Sequence, residues 1–305
     1  MKGLLSIVFL SALLVSCGSK VLEPDDEIVC SLCDNWNEPQ KPFRLYGNSW
    51  YVGTSGLSSI LIADGEHLIL IDGGLPQSAA PIEANIRAAG FDPLAISAIL
   101  VSHAHFDHAG GIAALQRLSG ADVFTSAAAA KVLRSGNLQD DDPQYRVGHE
   151  KTGFPAIASV RFVGDGEVMT FGGVSIRAVY TPGHSPGGVT WTWESCVLGT
   201  CYDIVYADSL TAVSADGYRF SDGRAANQLI ASASVIADLD CDILLSPHPF
   251  FFGMHAKLER RDDGNPFVNN VACTIYAETA LDWLRQRLRA ESGLDVPAPD
   301  IRIGS

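Results

Sequence analysis

The sequence predicts an α/β protein, a four-layer αββα sandwich with two mixed sheets packed face to face and helices outside. Three observations carry this expectation. Short β-branched runs come first, strand and helix signals then alternate, and a similar series follows in the second half. That order suits two half-domains, each a sheet covered by helices. No stretch of disordered composition separates the halves, so one folded unit is expected. At 305 residues, with 47% hydrophobic and 18% charged side chains, the chain can bury a large core, which excludes disordered and fibrous classes.

The chain opens on Met1-Lys2-Gly3, an apolar run over 4–15, then Ser16 and Cys17. A positive start followed by a short apolar stretch reads as a secretory signal, and the run is too short to span a bilayer as a mature helix. Its tail, Leu14-Val15-Ser16-Cys17, resembles the lipobox of bacterial lipoproteins. That likeness implies removal of 1–16 and lipidation of Cys17, and Gly18 rather than Asp after it resembles the pattern sorted to the outer membrane. The expected location is the periplasm with an outer-membrane anchor, and 17–34, charged and poor in apolar residues, reads as a tether. Six further cysteines in an exported chain favour disulfides. Their number leaves the pairing open, but spacing favours Cys30–Cys33 and Cys196–Cys201, leaving Cys241 with Cys273.

Leu57-Ser58-Ser59-Ile60-Leu61-Ile62, the turn pair Asp64-Gly65, and His67-Leu68-Ile69-Leu70-Ile71 read as a hairpin. Helical spacing with a glycine stop covers 79–90. The apolar run 96–101 reads as a buried strand that leads straight into a polar cluster at 102–108. Further helices are expected over 112–118, 127–133, 225–239 and 274–291, with strands over 160–162, 174–180, 189–193, 204–207 and 243–245.

His103-Ala104-His105-Phe106-Asp107-His108 gathers side chains of metal-ligand type directly after a strand. His103 and His105, two apart in extended chain, point to one side, while Asp107 and His108 enter a helix and can aim at an adjacent point. One segment can thus serve two ions. Imidazole with carboxylate suits zinc, and a catalytic ion needs about three protein ligands and an open position, so two further histidines are required. His184, in the turn Thr181-Pro182-Gly183-His184-Ser185-Pro186-Gly187, and His248, in Ser246-Pro247-His248-Pro249, each follow a strand. His67, His149 and His255 lack such company and read as surface or satisfied histidines.

This ligand pattern resembles the metallo-β-lactamase superfamily, whose signature is a His-x-His-x-Asp-His run, then Gly-His in a turn and a later His. Trp36-Asn37 to Tyr51-Val52-Gly53-Thr54, Tyr206-Ala207-Asp208-Ser209-Leu210 and the run from Cys241 to Pro249 are most like subclass B3, so 35–305 reads as a domain of that kind. The resemblance implies two zinc ions per chain, one on His103, His105 and His184, the other on Asp107, His108 and His248. Ser209 stands where another branch has a cysteine ligand, and a Cys241–Cys273 bridge is similar to that of subclass B3. The implied reaction is hydrolysis of a β-lactam ring by a hydroxide between the two ions, with the substrate carboxylate and ring nitrogen at the second. Asp107 would then orient as well as ligate, and Ser209 and Thr211 would hold the substrate carboxylate. Asp72 looks like an acid that fixes a metal-bound histidine. Gln139 and Tyr218 are candidates for the mouth of the cleft.

The same ligand run serves glyoxalase II-like thioesterases, lactonases and nucleases. In those hydrolases an Asp near position 208 bridges the metals, whereas the subclass B3 likeness implies that Asp208 does not ligate. Export argues against a cytosolic thioester, and a net charge of -14 with no basic run argues against nucleic acid. A lactonase is the alternative. The expected partner is a small-molecule β-lactam, and the chain is read as a monomer whose only membrane contact is a lipid at Cys17.

Overall fold

The computed structural model describes residues 20–145, 153–261 and 264–294. The expected signal, Cys17 and His149 lie outside the described residues. In the first sheet β1 (Phe43–Tyr46), β2 (Ser49–Tyr51), β3 (Ile60–Asp64), β4 (His67–Ile71), β5 (Ile96–Leu100), β6 (Asp122–Thr125) and β7 (Val160–Phe162) lie side by side in chain order. The second sheet continues with β8 (Val168–Phe171), β9 (Val174–Tyr180), β10 (Val189–Val197), β11 (Thr200–Tyr206) and β12 (Ile243–Leu245), also in chain order. Hairpin neighbours are antiparallel, while β4 through β7 and the pair β11–β12 are parallel. Both sheets are therefore mixed, as expected.

Alternation along the strands makes the layers. Ile60, Ile62, Ile69, Ile71 and Leu100 share one core with Ile176, Ala178, Trp191 and Trp193 of the second sheet. Leu61, Leu68, Leu70, Ile99 and Val123 face the other way. There they meet α2 (Ala79–Ala88), α4 (Ile112–Ser119) and α5 (Ala127–Ser135). On the far side α6 (Ala225–Ala237) and α8 (Ala272–Glu291) pack on each other and cover the second sheet. Each fully buried Ile, Leu or Trp contributes roughly 1.5–3 kcal/mol, so these interfaces dominate the stability. α5 is bounded by Ser126, whose hydroxyl accepts from Ala129 N at 3.2 Å, and by Gly136 in the left-handed conformation at φ 70°.

The expected helices and buried strands appear with ends shifted by a few residues. The strands β1, β2, β6 and β8 were not foreseen, because none exceeds four residues, at most two periods of strand alternation. Residues 20–32 carry no helix or strand, as a tether would, yet they are held against the domain. Leu22 is buried, Asp25 pairs with Arg117 at 2.9 Å, and Gln77 Nε2 donates to Ile28 O at 2.8 Å. Disulfides join Cys30 to Cys33 at the start of α1 (Cys33–Trp36), Cys196 to Cys201 across β10 and β11, and Cys241 to Cys273 between the entry of β12 and α8. Among the described residues no helix is long and apolar enough to cross a membrane.

Candidate metal centre

The carboxyl ends of β4, β5, β9, β11 and β12 open on one rim, and each delivers polar residues there. β5 runs out through Ser102 to His103, and α3 (Phe106–Ala109) starts right after His105, which puts Asp107 and His108 in its first turn. β9 leads to His184 and β12 to His248. The ligand atoms of His103, His105 and His184 lie within 4.8 Å of one another, as do those of Asp107, His108 and His248. The His103 and His108 rings are 4.4 Å apart, so the two groups are adjacent.

The second nitrogen of most of these imidazoles is already held, and that fixes the tautomer and the direction of the free one. His103 Nδ1 donates to Asp208 Oδ1 at 2.7 Å, His105 Nε2 to Asp142 Oδ2 at 3.0 Å, His184 Nδ1 to Thr211 O at 3.0 Å, and His248 Nδ1 to Gly56 O at 3.2 Å. His103 Nε2 is buried without a hydrogen-bond partner, and the Nε2 atoms of His108 and His248 converge on Asp107 Oδ2 at 3.2 and 3.4 Å. A buried nitrogen left unpaired is costly unless something binds it, and neutral imidazole with carboxylate is the donor set of a divalent ion, so these residues fit metal.

Electrostatics agree with that fit. Burial pushes His103 well below the usual histidine range, and burial together with His105 takes His184 down to about 3. Burial also lowers His248. All three are therefore neutral, the form that ligates. Burial works against the charge of Asp107, yet His108 and His248 outweigh it and hold the carboxyl well below its ordinary range. At His105 burial opposes protonation, but the Asp142 carboxylate prevails and raises the imidazole. Burial raises Asp208, so its contact with His103 is a hydrogen bond rather than an ion pair.

A cleft of about 300 Å³ opens in front of both groups, and among the described residues its walls carry no Lys or Arg. Ser209 lines it with a buried hydroxyl that has no partner. Thr211 lines it too, and its hydroxyl, 2.9 Å from His184 Nδ1, accepts from that imidazole and keeps its own proton to donate. Asp72 differs from expectation. It bonds no histidine, and instead accepts Ser102 N at 2.8 Å, Ser102 Oγ at 2.6 Å and the Tyr206 hydroxyl at 2.7 Å. It thereby clamps the ends of β4, β5 and β11 from a left-handed backbone, φ 58°, that Asp tolerates better than most residues. Gln139 lines a separate hollow with Lys131 and Ser185, and Tyr218, packed on Phe220, is not among the residues that line the cleft. His67 and His255 are exposed.

Asp142 and Gln144 escaped the sequence reading. Gln144 Nε2 lies 3.2 Å from His105 Nδ1 and 3.4 Å from His184 Nε2, capping the first group, and its backbone N–H donates to Asp142 Oδ1 at 2.8 Å. Three consecutive aspartates in a loop resemble solvated charge, and no local signal marks the third as a partner of His105.

Two ligand groups at the strand ends of an αββα sandwich define a metallo-hydrolase fold. Residues 52–248 match the family model described as the metallo-beta-lactamase superfamily, and the chain belongs to it. Among solved structures it is similar to Rm3 metallo-beta-lactamase, 44% identical with a TM-score of 0.84, over 87% of this chain and 99% of that one. It is equally similar in sequence to MEM-A1, a subclass B3 metallo-beta-lactamase from a soil metagenome library, 44% identical with a TM-score of 0.81, over 85% of this chain and all of that one (100%). A curated relative, the probable metallo-hydrolase YqgX of Bacillus subtilis, is 28% identical over 210 residues, 68% of this chain and 90% of that protein.

Proposed function

We propose that this chain hydrolyses the β-lactam ring with a zinc ion at each of its two ligand groups. The observation that carries this reading is the placement of Asp208. Its Oδ1 is spent on His103 Nδ1 at 2.7 Å, it belongs to neither ligand group, and Ser209 beside it faces the cleft. An acid bridging both groups would have favoured a thioesterase or lactonase. The structural likeness to subclass B3 β-lactamases supports the same choice.

Zinc would supply a water acidic enough to attack at neutral pH and a Lewis acid for the carbonyl. The chain's own groups do the rest. Asp107, kept anionic by His108 and His248, lines the cleft and orients the attacking water. Ser209 Oγ and the Gln144 amide donate to substrate oxygens, with the substrate carboxylate on the side of the second group. Export to the periplasm, a lipid at Cys17 and a monomeric state belong to this proposal, and three disulfides support an oxidising compartment.

The test sets one reporter β-lactam beside one lactone, with zinc-loaded protein and with chelator. β-Lactam turnover that chelator abolishes and zinc restores, with about two zinc ions per chain by metal analysis, is the expected result. Lactone turnover without β-lactam turnover overturns it.

A further inference from the structure

The two ends of the cleft differ in chemistry. Gln144 and Thr211 gather at His184, in the first group. Around His248, in the second group, the neighbours are rings: Trp36 at 5.3 Å, Phe250 at 5.6 Å and Phe251 at 5.9 Å between centroids. Phe250 and Phe251 lie 4.1 Å apart, and Trp283 from α8 extends the row, 5.7 Å from Phe251. Trp283 reaches this place because it continues the helix stripe of Tyr276 and Ala280, residues buried against the sheet. It is itself only half-buried and lines the cleft.

We propose that Phe250, Phe251 and Trp283 form a shelf for an aromatic substituent of the substrate, and that Trp283 is its specificity-determining residue. This rests on the β-lactamase reading. With the carboxylate on the side of the second group, the substituent nearest the shelf is the one on the ring carbon beside the carboxylate, as in the cephalosporins. The acyl side chain, on the opposite side of the bicyclic nucleus, points away. The stacked rings are the groups on this side of the cleft that can discriminate between such substrates, and a cationic aromatic group is favoured further by their faces.

The experiment uses four compounds and three proteins. One cephalosporin pair shares an acyl side chain and differs in a methyl or a pyridiniomethyl group beside the carboxylate. One penicillin pair differs only in the presence of a phenylacetyl side chain. Zinc-loaded wild type is compared with Trp283→Ala and Trp283→Phe. Ratios of kcat/KM within each pair cancel any loss of folded protein. In wild type the aromatic member of the cephalosporin pair is favoured about tenfold, and Trp283→Ala lowers that ratio about fivefold, chiefly through KM, while Trp283→Phe keeps most of it. Calorimetric binding of the intact pyridiniomethyl cephalosporin to chelator-treated protein, a readout independent of turnover and one in which the ring stays closed and keeps its pyridinium, weakens in step. A cephalosporin ratio unchanged in Trp283→Ala overturns the shelf, as does a fall confined to the penicillin pair. Zinc-loaded wild type that turns over none of the four overturns the hydrolase reading itself, and the shelf with it.

Discussion

An imidazole that ligates through one nitrogen depends on the other nitrogen for its aim. Asp142 provides that for His105, from a loop with no regular structure, and it also accepts the Gln144 backbone N–H. Asp142→Ala leaves His105 Nε2 without its acceptor and the ring free to turn. Affinity at the first group is expected to fall about 10–100-fold, with the second group far less affected, in a competition titration against a chromophoric chelator. Affinity within about twofold of wild type removes this role. The contrast with the ligands shows what a sequence exposes. Four of the six crowd into one short run and the other two sit in Pro/Gly-framed turns, so local pattern suffices for them. Asp142 is 37 residues from His105 and Thr211 is 27 from His184, and only folding brings either pair together.

At the scale of elements, α8 is fastened to the loop before α6 by Glu291. Its carboxylate accepts Arg287 Nε at 2.7 Å, Phe220 N at 3.0 Å and Ser221 N at 2.9 Å. Burial opposes the charge, but these donors outweigh it and take the carboxyl from 4.5 to about 2. Because the folded value lies below the unfolded one, the charge stabilises the fold fully above pH about 4.5 and that contribution fades as pH falls toward about 2. Glu291→Gln is therefore expected to lose about 1 kcal/mol at pH 7, a modest loss near solvent, and little by pH 2.5 or so, in urea melts across that range. A loss that does not shrink with acidification contradicts the argument. Helices such as α2 were legible through apolar spacing and a glycine stop, whereas β8 was not. Its residues alternate between exposed and half-buried at the edge of the second sheet, so its identity comes from pairing with β9.

Across the whole molecule the two ligand groups do more than prepare a site. The first takes His103 and His105 from the end of β5 and His184 from the end of β9, and the second takes Asp107 and His108 from α3 and His248 from the end of β12. Each ion would thus join the first sheet to the second, beside the contact that Asp72 makes with Tyr206 across the same gap. An unfolded chain keeps two ligands of each group together in the 103–108 run but cannot hold the third, so binding strongly favours the native state. At free metal about 100 times the dissociation constant, one such site adds about 2.7 kcal/mol, which in a domain of this size raises Tm by about 5–10 °C. Chelator should remove that rise in a thermal melt. His184→Ala should abolish the part due to the first group and His248→Ala the part due to the second, each without a comparable loss in the metal-free protein. If His184→Ala keeps the whole chelator-sensitive rise, the first ion is held by one sheet only, and the pairing of half-domains across the metal centre is wrong.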